Sequence, residues 1–378
     1  MNFLNFNSKK LNRFYLSFFI MTFGESLISI FIPIYLFSLG YQIHTILLFF
    51  FLNSLYFVIF SHLGAIITSK IGDRFSILLS TIFLIFYHLG LIFINSYHLL
   101  FFLLPLFLAL RIIFFNFGYH FYFISHSNKS KIGQELAFFN IIILLATALA
   151  PYLGSILANI NFSILFIFSS ILIIFSTAPL FCTKKTSKSI NYSTKILLQK
   201  INLKNNRNNF ISFSGYAIES IIDRTLWPIF LILTIGTLIK TGALISISLF
   251  ISLFSFYFIG QLTDKFNKLT IIKISTYMYF FSWIGRIFSH NQLSILIVES
   301  YKNLIEKFLH LPWSAHSYNL AKKENSFEFI VAREIIYNLA RIIILPFLII
   351  IFQINFYPFI ISFLTASLFS LGYKQIEK

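Results

Sequence analysis

The sequence is poor in charge, and its few charges are unequal in sign. Only 11% of its 378 residues are charged, whereas an ordinary soluble domain has about 25%. Hydrophobic residues make up 58% of the chain. No globular core in water could absorb so much apolar surface. The composition therefore excludes an ordinary soluble protein and indicates the lipid bilayer as its solvent.

Cysteine is almost absent, since Cys182 is the only one. A single thiol excludes a disulfide within the chain and a thiolate metal cluster, so we interpret Cys182 as a small apolar residue at a helix end. The sequence also lacks the Gly-x-x-x-x-Gly-Lys-Ser/Thr loop that cradles nucleotide phosphates, so it encodes no ATP-driven pump. We expect neither a metal nor a cofactor.

Apolar runs of about 20 residues, the length that crosses a bilayer, recur along the whole chain. They form two sets of six, separated by the polar stretch 183–209. The predicted spans are 14–38, 44–66, 76–95, 98–124, 137–160, 162–182, 210–235, 241–262, 270–289, 292–316, 328–352 and 356–373. The sequence therefore predicts an all-α, twelve-span membrane protein with domains 1–182 and 210–378, joined by a basic cytoplasmic loop at 183–209.

Lysine and arginine set the predicted orientation. With the amino terminus inside, 21 of the 29 basic residues fall in inner segments, and only Lys240 and Arg286 fall on the outer side. This bias predicts cytoplasmic amino and carboxyl termini. The net charge of +17 is then a topology signal that can attract anionic lipid headgroups, and it does not indicate nucleic-acid binding. No small-residue cleavage site follows the first apolar run, so we expect this span to be retained.

The two sets of spans resemble each other. The first span contains Glu25-Ser26, a Pro-Ile-aromatic-Leu segment beginning at Pro33, and then Gly40. The seventh contains the same elements in the same order, shifted by 194, 195 and 196 residues and ending at Gly236. We interpret the chain as two six-span repeats related about an axis along the membrane normal, an architecture known among transporters.

A short pattern follows the second span of each half. Residues 260–268 read Gly-Gln-Leu-Thr-Asp-Lys-Phe-Asn-Lys. This resembles the Gly-x-Leu-x-Asp-Arg/Lys-x-Gly-Arg/Lys loop of the major facilitator superfamily, with Asn267 in place of the second glycine. In the first half Lys70 and Gly72 match the pattern, whereas Ser69 and Asp73 depart from it.

The resemblance implies a bundle of six plus six helices that alternates between two open states, acting as a monomer. In the family this loop latches the cytoplasmic side, so Asp264 is expected near Lys131 at the inner end of the fifth span, and Ser69 weakens the other latch. An acidic side chain there can interact with the positive end of a helix dipole. The implied gating residues are Gly260, Asp264, Lys265, Lys268, Lys70, Gly72 and Arg74.

Ionisable residues inside the predicted spans concentrate in the first, fourth, seventh and tenth, with Arg333, Glu334 and Arg341 in the eleventh. Such groups are expensive in hydrocarbon and persist where they face water, a partner or a substrate. In the resembled fold these four helices line the central cavity, while the third, sixth, ninth and twelfth face lipid. The predicted substrate and proton pathway comprises Glu25, Arg111, His120, Glu219, Asp223, Arg224, Glu299, Lys302 and Glu306.

Helical spacing refines this prediction. Glu219 and Asp223 share one helix face, and Glu299, Lys302 and Glu306 share another, so Lys302 can pair with either glutamate of its own helix. We expect Lys307 to meet another helix.

Glu25 has no partner in its own helix. It is either a proton carrier or half of a structural ion pair with Arg111, which could instead anchor a carboxylate or phosphate. His120 is either a group that titrates near neutral pH or a hydrogen-bonded histidine near a helix end. Residues 194–204 predict either a short amphipathic helix or a plain tether.

The sequence as a whole predicts a secondary transporter that moves a small solute by alternating access, with proton coupling as an additional hypothesis. The direction of flux stays open. A non-transporting receptor or assembly factor of the same fold is the main alternative. A lipid-modifying membrane enzyme is disfavoured, because the loops are nearly free of carboxylates. Short loops and compact length favour a prokaryotic plasma membrane.

Overall fold

The computed structural model describes residues 9–126, 132–181, 192–201, 203–265, 267–323 and 325–376, and within them the chain is helical without a β-strand. The α-helices are α1 (Lys9–Ser29), α2 (Phe31–Ser38), α3 (Ile43–Ile71), α4 (Asp73–Phe93), α5 (Leu100–His126), α6 (Ile132–Ile160), α7 (Phe162–Phe181), α8 (Thr194–Ile201), α9 (Leu203–Ile235), α10 (Leu238–Lys265), α11 (Lys268–Ile287), α12 (Gln292–Lys323), α13 (Ser326–Ile354) and α14 (Pro358–Ser370). A 3₁₀ helix, Leu371–Gln375, follows α14.

Each predicted span coincides with helical structure. The first is divided into α1 and α2 at Ile30. The fourth, fifth and tenth spans continue past their predicted inner ends, because a helix does not have to stop where the apolar run stops. The central stretch contains α8, so the amphipathic alternative is the one the structure forms. Leu197 of α8 is buried, and the backbone N–H of Ser193 donates to Glu328 of α13 over 2.9 Å.

The pattern of helix neighbours repeats between the two halves. In the first half α1 packs on α6 and α7, α3 packs on α5, and α4 packs on α5 and α7. In the second half α9 packs on α13 and α14, α10 packs on α12, and α11 packs on α12 and α14. Between the halves α3 packs on α13 and α6 packs on α10. These pairs are interchanged by one two-fold rotation, as expected for a bundle of duplicated halves.

Two glycines mark corresponding corners of the repeat. Gly40 follows the first span with a φ of 90°, and Gly236 follows the seventh with a φ of 82°. Residues with a β-carbon rarely adopt this left-handed conformation. A shared turn geometry therefore accounts for the glycine found at both places in the sequence.

The outer faces of the bundle are apolar. Large exposed side chains include Phe86 of α4, Phe175 of α7, Phe281 of α11 and Leu368 of α14. These belong to the third, sixth, ninth and twelfth spans, which were predicted to face lipid. In the described part of the chain, six helical segments are both long and apolar enough to cross a membrane, and two shorter apolar segments lie at Phe162–Ala178 and Leu238–Leu253. The charged residues of α9 and α12 lower the hydropathy of those helices.

Helix α6 lies very close to α1 of its own half and to α10 of the other half, and small residues make both contacts. A β-carbon on Gly154 would lie 2.2 Å from the backbone oxygen of Leu27 in α1. A β-carbon on Gly242 of α10 would lie 2.5 Å from the backbone oxygen of Pro151. The backbone N–H of Tyr152 donates to Oγ of Ser246 over 3.0 Å. Small residues let membrane helices approach this closely, so α6 and α10 join the halves backbone to backbone.

We expect Gly242→Ala to destabilise the protein, because the added methyl group meets a backbone carbonyl that cannot rotate away. The expected loss is about 1–3 kcal/mol, seen as a lower melting temperature in detergent. Gly285→Ala is the matched control, since its β-carbon would meet only Val298 at 3.4 Å, an ordinary contact. Equal melting temperatures for the two variants would contradict the proposed close approach of α6 and α10.

Candidate functional site

A cavity of about 520 Å³ lies between the two halves. Its walls come from α1, α3, α4, α5 and α6 of the first half and from α9, α10, α12 and α13 of the second. The charged residues that line it are Glu25, Arg111, Asp223, Arg224, Glu299, Lys302, Glu306, Lys307 and Arg341. Apolar and aromatic residues such as Leu84, Tyr87 and Trp227 complete the wall. The mixture suits a small polar or charged molecule with an apolar part.

The cavity does not run through the whole bundle along the helix axes. We call the end where α3 finishes at Ile71 and α12 at Lys323 the basic end, because its segments contain Lys70, Lys268 and Lys322. Lining residues such as Glu25, Phe50 and Glu299 lie from the middle of their helices toward the other end.

Seven of the nine residues predicted for the pathway line this one cavity. The two others, His120 and Glu219, lie outside its wall. The four spans expected to line the cavity all do so, through α1, α5, α9 and α12, and Arg341 of α13 joins them. The roles of these residues in binding or proton transfer stay predictions.

In the first half, the ion pair expected between Glu25 and Arg111 is formed. Arg111 also lies over the ring of Phe115, with its guanidinium carbon 4.4 Å from the ring centre. Glu25 of α1 and Arg111 of α5 therefore neutralise each other across the cavity wall.

The second half contains a larger network centred on Arg286, which lies in the last turn of α11, at the end opposite the basic end. Arg286 is 0% exposed. Its NH1 donates to Asp223 over 2.6 Å and its NH2 donates to Glu299 over 2.7 Å. The guanidinium lies between the rings of Trp227 and Trp283, 4.0 and 4.4 Å from their centres. The sequence places Arg286 at the outer end of its span, but a position in the last turn of an apolar helix reveals nothing about which way the side chain points, so this network was not predicted.

Lys302 connects this network to the rest of α12. Its Nζ donates to Asp223 and to Glu306, each over 2.8 Å. Of the two partners expected within its own helix, Lys302 therefore takes Glu306, while Glu299 binds Arg286. Lys307 was expected to meet another helix, and this was wrong, because its Nζ lies 3.4 Å from Oε1 of the adjacent Glu306.

Glu219 lies one turn before Asp223 on the same face of α9, as the spacing predicted, but its partners are of a different kind. It is 2% exposed and accepts hydrogen bonds from Tyr279 over 2.8 Å, Trp283 over 3.2 Å and Tyr373 over 3.2 Å. The part of the chain that the structure describes gives Glu219 no ion pair.

A chain of polar contacts joins Glu219 to the cavity. The hydroxyl of Tyr373 bonds to Nε2 of His310 over 2.7 Å, and Nδ1 of His310 lies 3.5 Å from Glu306, which lines the cavity. Sequence reasoning missed Tyr279, Tyr373 and His310. With 19 tyrosines and 52 phenylalanines in the chain, no local pattern distinguishes an aromatic residue that binds a carboxylate from one that faces lipid.

Contacts between the halves close the basic end of the cavity. Asn116 of α5 donates to Glu334 of α13 over 2.8 Å, and Nδ1 of His120 lies 2.6 Å from the hydroxyl of Tyr318 in α12. The rings of Phe117 and Phe121 pack edge-on against Phe327 of α13. His120 therefore lies in a closing layer that we call the basic-end seal, defined by these residues.

The loop pattern is only partly within the described residues. Gly72 has a φ of 83° and joins α3 to α4, which explains the glycine. The buried Asp73 begins α4 and its carboxylate accepts from the backbone N–H of Arg74 over 2.7 Å. Lys268 is exposed at the start of α11. The structure does not describe the surroundings of Gly260 or the side chains of Asp264 and Lys265. Lys131 and Cys182 lie outside the described residues. The expected latch therefore stays a prediction.

The fold and the cavity together describe a multi-pass helical bundle with a charged cavity between duplicated halves. No protein-family model matches the sequence, and no curated protein matches it. In structure the chain is similar to the fucose:proton symporter of E. coli, with a TM-score of 0.68, 11% sequence identity and 96% of each chain covered. This likeness confirms the expected fold.

We expect Arg286→Met to destabilise the protein strongly, because it leaves the buried Glu299 and the half-buried Asp223 without their shared cation. Removing one partner of a buried ion pair costs about 3–5 kcal/mol. Lys273→Met is the matched control, since Lys273 is exposed near the other end of the same helix. A similar melting temperature for both variants in detergent would show that the Arg286 network does not stabilise the fold.

Proposed function

We propose that the protein is a secondary transporter that moves a small solute across a membrane by alternating access. The observation that carries the proposal is a charged cavity between duplicated halves, with wall residues from both of them. A site at the interface of two repeats is exposed first to one side and then to the other when the repeats rock against each other.

The basic-end seal supports this mechanism. Its contacts join α5 to α12 and α13, so they connect the two halves directly. They consist of a few hydrogen bonds and aromatic edge contacts, which can break and re-form without unfolding either half. Opening at the basic end requires this layer to separate, while α3 with α13 and α6 with α10 still hold the halves together.

We expect cross-linking of the basic-end seal to stop flux. Phe121→Cys with Phe327→Cys, in a Cys182→Ser background, introduces two thiols on opposite halves whose parent rings are 5.6 Å apart. A short bifunctional thiol reagent should abolish uptake of a screened ligand into proteoliposomes, and reductive release of a cleavable linker should restore it. Uptake that continues at an unchanged rate in the fully cross-linked protein would contradict alternating access through this layer.

We also propose that transport is coupled to protons, with Glu219 as the proton carrier. The carboxylates on the cavity wall each contact a cation, which favours their ionised form. Among the described residues the hydrogen-bond partners of Glu219 are neutral donors, so holding or losing a proton breaks no ion pair there. Hydrogen bonds through Tyr373 connect it to His310, whose Nδ1 lies 3.5 Å from Glu306. Proton coupling in the structurally similar fucose symporter is consistent with this proposal.

We expect Glu219→Gln to abolish the stimulation of uptake by a pH gradient while leaving exchange of the same solute across the membrane. Glutamine keeps the shape and can still accept from Tyr279, but it cannot carry a proton. The assay is uptake into proteoliposomes with and without the gradient, using a ligand found by thermal-shift screening of small metabolites.

Glu25→Gln is the comparison variant for this prediction. We expect it to keep its response to the gradient, because Glu25 is already bound to Arg111. The opposite result, with the gradient response lost in Glu25→Gln and kept in Glu219→Gln, would assign the proton to Glu25. Binding of a ligand with no flux in any form of the protein would favour a receptor or assembly factor instead.

We further propose a monomer in a prokaryotic plasma membrane with the basic end in the cytoplasm. The distribution of basic residues supports this orientation. In the described state the cavity would then be closed toward the cytoplasm.

A further inference from the structure

Ion pairs account for nearly every charge at the cavity. Four lining carboxylates, those of Glu25, Asp223, Glu299 and Glu306, are matched by four cations. These cations are Arg111, Arg286, Lys302 and Lys307. Each partner lies on the cavity wall or directly behind it.

Two cations of the cavity wall are left over, Arg224 and Arg341. Arg224 is exposed to the cavity, and in the described ranges it forms no ion pair. Among the described residues Arg341 donates to neutral groups of α9, the backbone oxygen of Ala217 over 3.5 Å and Oγ of Ser220 over 3.2 Å.

The two arginines are neighbours. Ala217, Ser220 and Arg224 lie at i, i+3 and i+7 on one face of α9, so Arg341 contacts the same face one turn from Arg224. The charge of Arg224 acts on Arg341 and also on Arg111 across the cavity, while the charges of Asp223, Glu306 and Glu219 act favourably on Arg224 itself. Each of these three arginines is more than ten residues from either end of its helix. Three cations thus converge at the middle of the bundle, with Glu25 as the carboxylate paired among them.

Like charges at this depth repel one another and are expensive to keep out of bulk water. An anion placed between them removes the repulsion and satisfies the free guanidinium donors, which match carboxylate and phosphate oxygens in geometry. The four cavity carboxylates are each held by another cation, so within the described residues none of them forms an ion pair with the guanidinium of Arg224 or Arg341.

We propose that Arg224 and Arg341 form the binding site for a small organic anion, a carboxylate or a phosphate ester, that the cavity holds. Arg111 contributes from the opposite wall while it stays paired with Glu25. The cavity volume of about 520 Å³ accommodates a metabolite-sized anion together with an apolar portion against Leu84 and Trp227. This inference rests on the proposed transport function and assigns its substrate class.

The test is ligand binding to the purified full-length protein in nanodiscs made only of phosphatidylcholine, which removes anionic lipid as a competing source of the same chemistry. The probes are inorganic phosphate, succinate and glycerol 3-phosphate. Sodium chloride at equal ionic strength and neutral fucose are the controls. We expect at least one anion to raise the melting temperature above both controls.

Arg224→Gln and Arg341→Gln should each weaken that binding by about 10- to 100-fold, because a hydrogen bond to a charged group is lost. Lys240→Gln is the matched control, since it removes an exposed cation in the first turn of α10 that does not line the cavity, and it should leave the affinity unchanged. A second measurement needs no ligand: Arg341→Gln should melt at a higher temperature than the parent when empty, because its repulsion by Arg224 is gone.

The outcomes separate the two proposals. If no probe anion exceeds both controls, or if binding is unaffected by both arginine variants, the anion site is overturned. Gradient-driven uptake of a neutral solute alone would retain the transport function and overturn the anion site. Anion binding that depends on both arginines, without any flux, would retain the site and overturn transport.

Discussion

The structure depends on the neutralisation of charge at membrane depth. A cation or carboxylate in hydrocarbon costs several kcal/mol unless it has a partner or water. The chain answers this constraint by joining helices through ion pairs: Glu25 of α1 with Arg111 of α5, and Asp223 of α9 with Arg286 of α11 and Lys302 of α12. The positions of these pairs therefore determine where the interior of the bundle can be polar, and the cavity lies beside them.

The halves repeat in backbone but differ in charge. The helix neighbours of the first half have counterparts in the second, and glycines with a φ of 90° and 82° occupy matching corners. The first half, however, has one ion pair at the cavity, whereas the second has a network that runs from Glu299 through Arg286 and Asp223 to Lys302. Duplication thus supplies a symmetric frame, and the chemistry is concentrated on one side of it. A rocking motion would carry most of the charged groups as one body.

The fold was largely predictable from the sequence because its signals are long and repeated. Apolar runs, a one-sided distribution of lysine and arginine, and a 195-residue offset between similar segments are properties of many residues at once. Charge placement also identified seven of the nine charged residues in the cavity wall, since an ion in a membrane span is stable only beside water or a partner. The ion pair of Glu25 with Arg111 was one of two alternatives that the sequence left open for Glu25.

The features that the sequence did not predict are those that depend on side-chain direction. Arg286 lies in the last turn of an apolar helix, and the packing of α11 against α12 brings it against two tryptophans. Lys302 could reach two glutamates of its own helix, and the approach of Asp223 from α9 decided among them. The hydroxyl donors to Glu219 come from residues 60 and 154 positions away in sequence, and no periodicity reports such distances.

The origin of one of those donors has a practical consequence. Tyr373 belongs to the short 3₁₀ helix beyond the last span, is 0% exposed, and bonds to both Glu219 and His310. The 3₁₀ helix Leu371–Gln375 is therefore packed into the second half. A reporter domain or affinity tag fused there, or a truncation before residue 373, would disturb the buried carboxyl that a functional assay is meant to examine. Labels are better attached to the exposed connection near Asn161, where the backbone turns at the surface between α6 and α7.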